Sequence, residues 1–115
     1  MIQVAVHNET NTLKCVLLGR ADHSGSNPTL EEVYDLKSRH HIEKGTYPRE
    51  EDLMDQLEGM QQALEKHDVL VLRPDLIEGC NQIFARDIGF VIDDFFFLSN
   101  ILPARAHELN AINEM

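Results

Sequence analysis

Two adjacent charges inside an apolar run constrain this chain most. The run Ile83-Phe84-Ala85-Arg86-Asp87-Ile88-Gly89-Phe90-Val91-Ile92 places Arg86-Asp87 between apolar flanks. Such flanks predict a largely buried strand. Burying a charge is costly unless it is paired or hydrogen-bonded. Asp87 therefore caps a turn, pairs internally with Arg86 or Arg105, or waits for a cation. Neighbouring strand residues point to opposite faces, which disfavours a direct Arg86–Asp87 pair and sends one of the two elsewhere for a partner. Beyond the run, Asp93-Asp94 separates Phe90-Val91-Ile92 from Phe95-Phe96-Phe97-Leu98. Aspartate tolerates left-handed backbone, so this reads as a tight hairpin.

Upstream, the chain alternates short apolar runs with helical patterns. Ile2 to Val6 reads as a short strand, and Leu13 to Leu18 as a mostly buried one with Lys14 its only charge. Cys15 is then a small buried hydrophobe. Ser24-Gly25-Ser26 reads as flexible, and Asn27-Pro28 as an N-cap with proline at the first helical position. Leu30, Val33 and Leu36 follow at helical spacing, and Gly45 and Pro48 close the region.

From Pro48 to His67 the pattern is strongly helical. Glu50, Glu51 and Asp52 fill the first turn, where the helix dipole favours negative charge. Leu53, Leu57, Met60 and Leu64 form one apolar stripe, read as core. Val69-Leu70-Val71-Leu72 is a short buried strand stopped by Arg73-Pro74. A helix running directly into such a strand is an α/β unit. Pro103 opens a last helix with Leu109 and Ile112 on its inner side. That pattern continues to Met115 without a capping glycine or closing loop, which reads as an interruption. No internal repeat of about 20–50 residues is visible.

Size and charge bound the function. A chain of 115 residues forms one domain at most. With 43% hydrophobic residues it can bury a core despite a net charge of −10. That acidity argues against nucleic acid and anionic membranes as partners and mildly favours a cationic ligand. No apolar run approaches the roughly 20 residues that span a bilayer, and the N-terminus lacks a signal-peptide pattern. Cys15 and Cys80 are expected as free thiols of a cytoplasmic protein. His23, His40 and His41 lack carboxylate or cysteine companions at diagnostic spacing, so no metal or other cofactor is expected.

Several ordered matches carry a resemblance. Phe84-Ala85-Arg86-Asp87, preceded by Asn81 and followed by the apolar hairpin and Arg105-x-x-Glu108, resembles the guanidino-group-modifying enzyme superfamily. Val6-His7-Asn8-Glu9, Leu13-Lys14-x-Val16-Leu17-Leu18-Gly19 and Gly45-Thr46-Tyr47-Pro48 are similar to the N-terminal region of its amidinotransferase branch. The superfamily also includes arginine deiminases and dimethylarginine hydrolases. The resemblance implies an α/β fold, a five-bladed α/β propeller (the pentein) of which residues 1–115 form N-terminal modules, incomplete at the C-terminus. It further implies arginine or another guanidino compound as ligand and a cysteine-bound amidino intermediate, resolved by an amine in a transferase or by water in a hydrolase.

A guanidinium presents parallel N–H donors that match a carboxylate in bidentate fashion. By resemblance, Asp87 is the guanidinium-binding aspartate, and Phe84 and Asn81 shape its wall. Arg86 and Arg105 pair internally or meet a substrate carboxylate, and Glu108 anchors Arg105, although an Arg-x-x-Glu pair is usually a modest structural ion pair. The family's catalytic histidine and nucleophilic cysteine are implied to lie in later modules, so the chain alone is expected to be inactive. Cys80 has no histidine near it in sequence and no evident base, and reads as a structural thiol. A non-catalytic guanidinium-binding module is the alternative. Exposed sheet edges and Phe95-Phe96-Phe97 favour a homo-oligomer or a complementary C-terminal chain.

Overall fold

The computed structural model describes residues 2–23, 28–33 and 35–115. Among these residues, two short sheets and two α-helices organise the fold. Strand β1, Cys15–Leu17, pairs in parallel with β2, Leu70–Leu72, in the register Cys15↔Leu70, Val16↔Val71 and Leu17↔Leu72. Leu18 N–H donates to Leu72 O at 2.9 Å and extends the ladder. The crossover between them carries α1, Leu36–Lys44, and α2, Glu50–Lys66. The helix-then-strand unit expected from the sequence is therefore present, and α2 packs against β2.

α2 begins two residues after Pro48 and carries Glu50, Glu51 and Asp52 in its first turn. Its stripe is covered less than expected. Leu53, Leu57 and Leu64 are half-buried, while Met60 is exposed. A two-stranded sheet is too narrow to cover a whole helical face. The next residue, Gln61, turns inward instead, and its Oε1 accepts from Arg73 Nε at 3.0 Å and Nη2 at 2.8 Å.

The α1 region corrects the reading of residues 28–37. Asn27 and Ser24-Gly25-Ser26 lie outside the described residues. Residues 30–32 form a turn, and the helix starts at Leu36, which is highly exposed. Asp35 wins as N-cap because its side chain accepts from Ser38 N–H at 2.8 Å, satisfying an orphan helical donor. That bond holds the Asp35 carboxyl below the usual carboxylate range. Gly45, at φ 69°, closes the helix with left-handed backbone, as its position suggests.

The hairpin is confirmed. β3, Gly89–Ile92, pairs antiparallel with β4, Phe95–Leu98, and Asp93 adopts φ 53° at the turn. The expected strand at Ile2–Val6 reduces to a single bridge, in which Val6 and Asp93 exchange backbone bonds of 2.8 and 2.7 Å. Both faces of β4 are exposed, and Phe90 stacks on Phe97 with ring centroids 5.3 Å apart.

The buried strand expected at Ile83–Ile88 does not form. Asn81 Oδ1 accepts from Ile83 N–H at 3.2 Å and starts a turn, and Ala85–Asp87 is a single 3-10 turn. A 3-10 helix repeats every three residues, so positions i and i+3 share a face. Ala85 and Ile88 are buried on one face, and Phe84 and Asp87 line a cavity from another. Without a strand, Arg86 and Asp87 need not point to opposite faces, and Arg86 Nε lies 3.9 Å from Asp87 Oδ1. Pro103–Ile112 is likewise 3-10 rather than α-helical. Its inner face is Glu108 and Ala111, three apart, in place of the expected Leu109 and Ile112, which are half-buried.

Buried Gln82 ties the intervening loop together. Its Oε1 accepts from Ile77 N–H at 2.8 Å and its Nε2 donates to Asp75 O at 2.7 Å. Among the described residues no helix is long and apolar enough to cross a membrane.

Candidate functional site

A cavity of about 710 Å³ opens between the α1–α2 region and the two 3-10 segments. Asn81, Phe84, Arg86, Asp87, Arg105 and Glu108 all contribute to its lining. Six residues singled out from the sequence are therefore brought to one place. The 3.0-residue period explains much of this. Phe84 and Asp87 share one face of the short turn, and Arg105 and Glu108 share one face of the long one.

Arg105 is the hub. Its Nε donates to Glu108 Oε2 at 2.6 Å and its Nη2 to Glu108 Oε1 at 3.0 Å, a bidentate pair. Its Nη1 donates to Asp87 Oδ2 at 2.8 Å. The Glu108 side chain is 5% exposed and that of Arg105 16%. A carboxylate buried this deeply requires such a partner. Asp87 differs, with a side chain 42% exposed at the cavity wall. Of the three fates open to Asp87, the pair with Arg105 is realised.

Arg86 adds a second guanidinium. Its Cζ lies 5.3 Å from the centroid of the Phe84 ring, and its Nε lies 3.9 Å from Asp87 Oδ1. The ring face attracts the cation through its quadrupole. The Arg86 side chain is 80% exposed, so this contact is loose.

Sequence reasoning missed one pairing. Cys80 Sγ lies 3.2 Å from His107 Nε2, across 27 positions of sequence. The expectation that no base stands near Cys80 is corrected by this contact. His107 sits three residues after Ala104, and both line the cavity. No local sequence signal joins Cys80 and His107, because tertiary structure alone brings them together. Burial pushes the Cys80 thiol up, Glu108 pushes it further, and Arg105 partly offsets both.

The facing wall comes from elsewhere in the chain. Lys37, His41, Tyr47, Pro48 and Glu50 line it. Tyr47-Pro48, part of the sequence resemblance, thus borders the same cavity as Asp87. Asn8, part of the same resemblance, shapes its own loop instead. Its Oδ1 accepts from Thr10 N–H at 3.0 Å and Asn11 N–H at 2.8 Å. Among the described residues no group of three or more His, Cys, Asp or Glu is placed to hold a metal ion. Comparison with protein-family models, with curated proteins and with solved structures returned no match.

Proposed function

We propose that the chain supplies the carboxylate-and-aromatic wall of a guanidino-compound site in an amidinotransferase-like enzyme of the pentein superfamily. The observation that carries this reading is the Phe84–Asp87 pair, which already receives guanidinium groups of the chain itself. Asp87 takes Arg105 on one oxygen and faces Arg86 on the other, and Phe84 offers its ring to Arg86. A cavity of about 710 Å³ falls within the roughly 300–1,000 Å³ range of small-molecule sites. The net charge of −10 favours accumulation of cations such as arginine.

In this reading Arg86 is a place-holder that a ligand guanidinium displaces, while Arg105 and Glu108 hold Asp87 in position. Asn81 shapes the edge of the pocket. The covalent chemistry falls to a complementary C-terminal chain in the cytoplasm, docked through the exposed hairpin faces, which also suit self-association. The chain alone binds without turnover. A guanidino hydrolase is the rival, separated by whether the complete assembly releases citrulline or forms guanidinoacetate. A non-catalytic binding module is the other rival.

Calorimetric titration with arginine, and with citrulline as its uncharged isostere, tests the binding step. Arginine should bind and citrulline should not. Asp87→Asn should weaken arginine at least tenfold, the loss of one charge-assisted pair of about 1.5–3 kcal/mol. Equal affinity of the variant and the wild type for arginine would refute the reading.

A further inference from the structure

The cavity wall carries a second chemistry that needs no guanidinium ligand. Cys80 is held firmly. Its N–H donates to Ile77 O at 3.2 Å, and the preceding Gly79 turns at φ 71° and donates to His23 O at 2.8 Å. The residue is 4% exposed, yet it lines the cavity rather than lying wholly in apolar packing. His107 reaches it from the C-terminal 3-10 helix and is itself exposed, linking the thiol to solvent.

Burial and Glu108 hold this thiol above its ordinary range, so at neutral pH it is S–H. The thiolate is the nucleophile in exchange reactions. A raised thiol therefore stays inert unless a base takes its proton as it reacts. His107 Nε2, 3.2 Å away, is within reach to do so. Cys15 supplies the internal contrast: it lies in β1, and no imidazole is paired with it among the described residues.

We propose that Cys80 and His107 form a thiol–imidazole dyad that captures amino-acid-sized disulfides, of the cystine type, as mixed disulfides inside the cavity. The Cys80 S–H proton passes to His107 Nε2 as the sulfur forms an S–S bond with the nearer disulfide sulfur. The original S–S bond breaks, and the departing thiolate takes the proton from His107. Cys80 is oxidised and the incoming disulfide is the oxidant, reduced by release of one thiol. The lining suits such a ligand: Lys37 and Arg86 can face its carboxylates.

The test uses the full chain carrying Cys15→Ser, with cystine as probe and intact-mass spectrometry as readout. One half-cystine should add to Cys80 in the native protein. His107→Asn should slow the addition at least tenfold and abolish the imidazole inflection in its pH–rate profile. A merely structural histidine would leave that inflection unchanged. Thermal melts establish that the histidine variant remains folded. Equal rates with and without His107, or addition only after urea unfolding, would overturn the proposal. Because cystine carries no guanidinium, failure here leaves the arginine titration unaffected, and the reverse holds as well.

Discussion

Arg73 and Arg105 each tie a helix to a loop, and they do so with opposite choices of acceptor. Arg73 follows β2 and among the described residues binds neutral groups: Gln61 Oε1, the Gly19 carbonyl and, at 3.5 Å, Leu57 O. Arg105 binds two carboxylates, Asp87 and Glu108. The local sums differ. Around Arg105 the acceptors bring two negative charges against its one, and Asp87, half-exposed at the cavity wall, draws Arg86 to 3.9 Å as a second cation. Around Arg73 the acceptors add no charge and every nitrogen of its fork is engaged. The first arrangement can accept a further cation. The second is a rivet between α2 and the parallel strands. Burying a guanidinium thus serves assembly or recognition according to what answers it.

The rivet is most easily broken through Gly19. Its carbonyl accepts from Arg73, and its α-carbon lies against the backbone that leads into the site. A Cβ there would collide with the Ile83 carbonyl group and lie 2.7 Å from Gln82 O. Backbone cannot swing aside as a side chain can. Gly19→Ala should cost about 3 kcal/mol, the upper end for overpacking, read from the midpoint of urea unfolding. Because residues 82–83 precede Phe84 directly, arginine binding should weaken as well. An unchanged midpoint would show that the two regions are not in contact as described.

Glu108→Gln probes the other arginine. The amide keeps the volume and one hydrogen bond but removes a charge from a group 5% exposed. Breaking a fully buried pair costs about 3–5 kcal/mol. Here Asp87 still answers Arg105, so the expected loss is roughly 2 kcal/mol. Glu108 is also one of the charges that raise the Cys80 thiol, so thiolate absorbance should appear at lower pH in the variant. A stability loss without that shift would place Glu108 too far from Cys80 to act on it.

Different parts of this architecture are legible in the sequence to different degrees. β1, α2 and β2 follow from apolar runs and a 3.6-residue stripe, and the hairpin follows from Asp93-Asp94 between two apolar runs. Arg86-Asp87 misleads because a 3-10 turn follows a period of 3.0, between those of a strand and an α-helix. Within that turn the apolar residues Ala85 and Ile88 alone are buried, and the charges never enter the core. The Arg105–Glu108 pair is readable from its spacing, but not its burial, which tertiary packing sets. Cys80 and His107 meet across 27 positions, with only tertiary structure to join them. Asp35 is hidden as a cap because Asn27-Pro28 offers a stronger local signal. The exposed Leu36 shows that the apolar spacing there does not mark a buried face.

Asp35 gives the smallest and most specific effect. α1 has no fully buried residue, so its placement over the cavity leans on its caps. Asp35→Ala should cost about 0.5–1 kcal/mol and loosen the wall facing Arg105. The Ser38 N–H, and next the Ser38 hydroxyl, hold the Asp35 carboxyl below its ordinary pKa. A carboxylate lowered by folding stabilises fully above its unfolded value of about 3.9. That contribution is lost as pH falls through the lower folded value. The advantage of the wild type over Asp35→Ala, followed by circular dichroism, should therefore be constant near neutrality and shrink in acid. Asp35→Asn, an uncharged cap of similar strength, should keep the helix at both ends of the range. If Asn behaves like Ala, the cap hydrogen bond is not what starts α1, and the cavity wall is held by its other neighbours.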